Sequence, residues 1–227
     1  MNPPWTPAPT LDEAFQAVEA VARQHGYAPG RPLPLGSPAD LSALDARCGA
    51  PVPDDLAAFL LWYDRRLWQH FVNSRAEGYD PENSRTVEID LYGIDTLDEL
   101  RRISPPNDYN LNRHIENLTH FGETARADAW KSADLLNFGS SAYGERLLYA
   151  LSCPDFPRGC ILTTTMDDPV VLWLADSLAQ WLARLAACDG MEYAFVPGSI
   201  DDLAPAVRTA YTAEFHARNP KSSFFRA

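Results

Sequence analysis

Apolar residues recur along this chain at two different spacings, and the point where the spacing changes does most to limit the folds open to it. Near the start, Leu11, Phe15, Val18 and Val21 are separated by four, three and three residues, which places them on one face of a helix, with Thr10 as N-cap and Gly26 as the stop. Asp40 caps a short helix carrying Leu41, Leu44 and Cys48, ended by Gly49. Pro53-Asp54-Asp55 then opens a helix whose stripe is Leu56, Phe59, Leu60 and Tyr63, since a missing N–H and two carboxylates suit a helix start. From Thr86 the period becomes two: Val87, Ile89 and Leu91 alternate with Thr86, Glu88 and Asp90, a strand with one dry face and one acidic face. Thr96 to Ile103 predicts a short helix ended by Ser104-Pro105-Pro106.

Further strands are predicted over Arg146 to Leu151, Cys160 to Thr165 and Val170 to Leu174. The stretch from Asn137 to Glu145 reads as the turn before the first of them. Asp176 or Ser177 caps a helix bearing Leu178, Trp181, Leu182 and Leu185. Ile200, Leu203, Val207, Tyr211 and Phe215 predict a last helix that docks on the domain. Helices, then short strands in a meander, then helices is the order of an α+β domain. The 227 residues are 46% hydrophobic, enough to bury one core of that size. A Pro/Gly-rich stretch over residues 28 to 39 separates the leading helix from the rest, giving an expected boundary between 1–39 and the main domain.

The longest apolar run, Leu56 to Tyr63, is far shorter than the ~20 residues of a membrane span, and the start carries no basic-then-apolar secretory pattern. The expectation is a cytoplasmic protein with no membrane partner. Cys48, Cys153, Cys160 and Cys188 have no CxxC spacing and read as reduced core thiols, although Cys153 and Cys160 flank a Pro-rich turn and are near enough in sequence to pair. Net charge is −12, and Glu77 to Glu99 holds eight acidic residues against Arg85 alone, a local net of −7. Such a surface repels a phosphate backbone and attracts a basic protein, which argues against nucleic acid as partner.

Chemistry is sparse. No GxSxG, GxGxxG or GxxxxGK[ST] occurs. His114 and His120 with Glu116 cannot share one helix face, because six residues separate the histidines by about 240°. Asp80 followed by Glu88-Ile89-Asp90 approaches a metal-dependent nuclease pattern, but Asp90 stands where that chemistry needs a lysine. The reading is no catalytic residues, no metal and no cofactor, with a metal-dependent hydrolase on the acidic strand as the one enzymatic alternative.

Three segments in order, Leu41 to Leu60 with its Gly49-Ala50-Pro51-Val52-Pro53-Asp54-Asp55 turn, Leu136 to Gly144 with Asn137-Phe138-Gly139, and Leu174 to Leu182 with Ala175-Asp176-Ser177, resemble the SUKH superfamily. Leu178 and Trp181 stand where that family usually has phenylalanines, so the chain is similar to a divergent member. The resemblance implies an α+β fold and, in bacteria, an immunity protein that neutralises a polymorphic toxin. The alternative it leaves open is a scaffold or regulatory module of the same fold. Combined with the charge, it suggests that Glu77, Asp80, Glu82, Glu88 and Asp90 mimic phosphates towards a basic toxin domain, with Tyr79 and Tyr92 as aromatic anchors.

Overall fold

The computed structural model describes residues 5, 8–24, 26, 51–62, 135–140, 146–151, 156–164, 171–188 and 203–219. Their elements follow in the order α1 (Leu11–Gln24), α2 (Asp54–Trp62), β1 (Leu135–Ser140), β2 (Arg146–Ala150), β3 (Ile161–Thr164), β4 (Val171–Ala175), α3 (Leu178–Ala187) and α4 (Pro205–Arg218). The predicted helix over Leu41–Cys48, the strand over Thr86–Leu91 and the helix over Thr96–Ile103 lie outside the described residues.

Helix α1 begins with a capping box. The Glu13 N–H donates to Thr10 Oγ1 at 3.3 Å, and the Thr10 N–H donates to Glu13 Oε2 at 2.8 Å, so two orphan donors are satisfied reciprocally. Gly26 stops the helix in the left-handed region, φ 89°, its N–H donating to the Arg23 carbonyl. The buried positions are Ala14, Val18 and Ala22, while Leu11, Phe15 and Val21 are half-buried beside them. The predicted stripe is thus rotated slightly, because small alanines at 14 and 22 let α1 lie close against α3.

The sheet is an antiparallel meander in the order β1-β2-β3-β4, as the α+β reading requires. Residues 137 to 140 do not form the predicted turn; they belong to β1. The reason is a bulge: Asn137 pairs with Leu148 and Gly139 with Leu147, leaving Phe138 as the extra residue. Gly and Asn imitated a turn in sequence because bulges and turns ask for the same residues. A second bulge sits at the β2–β3 connection, where Gly159 at φ 92° donates to the Ala150 carbonyl and the Ala150 N–H donates to the Cys160 carbonyl. A third falls in β4, where Ile161 pairs with Ala175 but Leu162 with Trp173, so Leu174 is the extra residue.

At the described side chains of β2, β3 and β4 both faces of the sheet are dry, which is why these strands read as near-continuous apolar runs. Leu147, Tyr149, Ile161 and Leu174 join α1, α2 and α3 in the main core. Leu148, Ala150, Leu162 and Trp173 form a second cluster on the opposite face, with Phe156 against it. At the centre of the main core Phe59, Phe138 and Trp181 meet edge-on, with ring centroids 5.9 to 6.0 Å apart. These rings come one each from α2, the β1 bulge and α3.

Helix α3 is capped by Ser177, whose Oγ accepts from the Gln180 N–H at 3.1 Å, while Gln180 Oε1 accepts from the Asp176 N–H at 2.7 Å. Of the two cap candidates, Ser177 is the cap. Helix α4 has Pro205 in its first turn and no side-chain cap, and Tyr211 and Phe215 are buried as its spacing predicts.

Candidate functional site

The proposed contact residues Glu77, Tyr79, Asp80, Glu82, Glu88, Asp90 and Tyr92 lie outside the described residues, as do His114, Glu116, His120 and Cys153. Cys160 is fully buried in the second cluster.

What the described residues do contain is a buried polar constellation where α3, α4, β4 and Trp5 meet. Leu174, as the bulge residue of β4, has its carbonyl turned out of the ladder, and Arg184 Nη1 of α3 donates to it. Arg184 Nη2 pairs with Glu214 Oε2 of α4 at 2.8 Å, and Arg184 is 1% exposed. The same carboxylate oxygen accepts from the Trp5 indole N–H, and the other accepts from Gln180 Nε2 at 3.3 Å. The guanidinium lies 5.2 Å from the Trp5 ring centroid, 5.0 Å from Trp173 and 5.5 Å from Tyr211. A carboxylate, a carbonyl and three π-faces replace most of the cation's water, while Arg184 Nε is buried without a hydrogen-bond partner among the described residues. Arg218 also lies over the Trp173 ring, 5.0 Å from the centroid, and Asp176 accepts from both the Trp173 indole and Arg218.

Helix α4 also closes the outer edge of β4. The Trp173 N–H donates to Asn219 Oδ1 at 2.8 Å and Asn219 Nδ2 donates to the Trp173 carbonyl at 2.9 Å, so one side-chain amide imitates the next strand. On the main-core side, Tyr149 of β2 donates its hydroxyl to Asp55 Oδ1 at 2.8 Å, tying the sheet to the start of α2. Burial, and then the Asp55 bond, push the Tyr149 hydroxyl pKa upward.

This arrangement braces α3, α4 and β4 against one another. Burial pushes the Cys188 thiol up to about 12, so it stays protonated and is a poor nucleophile. Burial likewise raises the Tyr211 hydroxyl. Among the described residues no group of three or more His, Cys, Asp and Glu side chains is placed to hold a metal ion. None of the described helices is long and apolar enough to cross a membrane. Outward-facing carboxylates are present at the helix starts: Asp12 and Glu13 on α1 and Asp54 on α2 are exposed. The Glu13 carboxyl is held below its usual value by its bonds from the Thr10 backbone and hydroxyl.

Sequence reasoning missed Trp5, Arg184, Glu214 and Asn219. One signal was present: Arg184 interrupts an apolar face between Trp181 and Leu185, where a solvated arginine is out of place.

Residues 36–184 match the model of the SMI1 / KNR4 family (SUKH-1). No curated protein and no solved structure matches the chain. The three motif segments that suggested the resemblance are those that supply Phe59, Phe138 and Trp181 to the central ring cluster, so the resemblance is first of all a description of a core.

Proposed function

The chain belongs to the SMI1/KNR4 family (SUKH-1), a family of non-enzymatic protein-binding modules, and from that premise we propose that it is an immunity-type protein that neutralises a basic, nucleic-acid-targeting toxin by occluding its surface. The observation that carries the reading is the family match over residues 36–184. Two further facts support it. The net charge of −12 is concentrated, with eight acidic residues and one basic residue between Glu77 and Glu99. The constellation around Arg184 braces α4 against the sheet, and the Cys188 thiol within it is held protonated by burial.

In this reading Glu77, Asp80, Glu82, Glu88 and Asp90 present carboxylates where the toxin expects phosphates, and Tyr79 and Tyr92 anchor the contact by ring burial. Long-range attraction speeds encounter, and the anchors slow release. In this reading residues 40–187 carry the binding surface, while α1, which supplies Ala14, Val18 and Ala22 to the main core, and α4 within residues 188–227 lie outside the matched region.

The test is co-expression with the product of the adjacent gene. Survival of cells carrying both genes, 1:1 co-purification and an association rate that falls about tenfold or more from low to physiological ionic strength are the expected results. A stable complex whose association ignores salt would sink the charge mechanism. Absence of any toxic neighbour would favour the scaffold alternative.

A further inference from the structure

Trp5 is fully buried, yet it belongs to neither sheet cluster. It sits in a third, separate cluster with Cys188, Leu203 and Tyr211, between α3 and α4. In sequence it is flanked by prolines, Pro3-Pro4-Trp5-Thr6-Pro7, residues that carry no backbone N–H donor. The site that receives it has the features of a receptor for one kind of side chain. Arg184 lies over the ring face at 5.2 Å, Glu214 Oε2 accepts the indole N–H, and Tyr211, Leu203 and Cys188 supply apolar walls. Cation, carboxylate acceptor and apolar wall together select tryptophan: phenylalanine has no N–H for Glu214, and tyrosine carries its donor at the wrong end of the ring.

Trp5 and most of the receiving residues lie outside the matched residues 36–184, which end at Arg184 itself. Both the occupant and the α4 wall are therefore elaborations on the family core. We propose that the cleft between α3 and α4 is a binding site for a proline-flanked tryptophan, occupied by this chain's own Trp5 as a tethered ligand. Occupancy has a consequence for the sheet. By bonding Glu214, Trp5 holds α4 in place, and α4 places Asn219 on the open edge of β4. The tethered ligand thereby keeps a strand edge closed. Nothing in this proposal depends on the toxin reading.

The test uses the full chain carrying Trp5→Ala, with three probes: a synthetic peptide of residues 1–10, the same peptide with its tryptophan replaced by alanine, and free indole. Calorimetry should give saturable 1:1 binding of the first peptide and binding at least about 30-fold weaker for the second. Hydrogen exchange at the Trp173 amide, faster in the variant, should slow again when the first peptide is added. If the variant does not fold alone, the first peptide should restore its melting transition and the alanine peptide should not. Equal effects of the two peptides, no effect of either, or full restoration by indole alone would overturn the proposal, the last by showing a core cavity and no peptide site.

Discussion

Arg184 and Glu214 illustrate how unequal a buried pair is to its parts. Each partner depends on the other for charge compensation, so removing one should cost far more than the pair contributes net. Arg184→Ala is expected to lower unfolding free energy by about 3–5 kcal/mol. Arg184→Met with Glu214→Leu should recover only part of that loss in urea melts, because the Trp5 indole N–H, the Gln180 amide and the Leu174 carbonyl then lose their partners. Tyr149 makes a different prediction. Its hydroxyl pKa is raised in the folded state, so the unfolded chain releases this proton first. The stability it provides is fully present below the unfolded value of 10.0 and is lost as pH rises above it. Tyr149→Phe should cost about 1 kcal/mol at neutral pH and flatten the alkaline decline in stability, leaving the share due to Tyr211. Glu13 has the opposite sign. Its depressed pKa supports α1 above the ordinary carboxylate range, and that support is lost as pH falls through the folded value; Glu13→Gln should remove that part of the acid limb.

At the scale of elements, the three bulges do more than decorate the sheet. The one at Phe138 sends a ring into the aromatic cluster, and the one at Leu174 frees the carbonyl that Arg184 takes. Gly159 holds the third at φ 92°, and a Cβ there would lie 3.4 Å from the Tyr149 hydroxyl oxygen. That distance is ordinary contact, so Gly159→Ala should destabilise by about 1–2 kcal/mol through the left-handed backbone and leave the Tyr149–Asp55 bond intact. Urea melts with unchanged Tyr149 ring resonances would report it. Asn219→Ala leaves the Trp173 N–H and carbonyl without their amide, so exchange at Trp173 should quicken while exchange at Leu148, inside the sheet, stays unchanged.

For the whole molecule the proposed function turns on charge. If the proposed toxin contact holds, Glu88→Gln with Asp90→Asn should slow association and reduce its salt dependence while leaving the melting temperature within a few degrees of the parent, because the alternation of the sequence puts both residues on a wet strand face. Much of the architecture was legible in the sequence. The helical character of α1, α2, α3 and α4, the Thr10 cap and the apolar runs of β2, β3 and β4 are local properties, set by spacing and by side chains three or four residues apart, whereas the rotation of the α1 stripe, the choice of Ser177 over Asp176 and the start of α4 at Pro205 were not. The β1 bulge was not legible, since an Asn-Phe-Gly-Ser run satisfies a turn as well as a bulge and only the partner strand decides between them. The constellation around Arg184 was less visible still. Trp5 meets Glu214 across 209 positions, and Arg184 meets Glu214 across 30. A lone arginine or glutamate on a helix reads as solvated until the tertiary structure removes the water. Spacing thus determined which segments become helix and strand, and packing alone decided which polar groups would be buried together, because desolvation depends on neighbours that the local sequence does not contain.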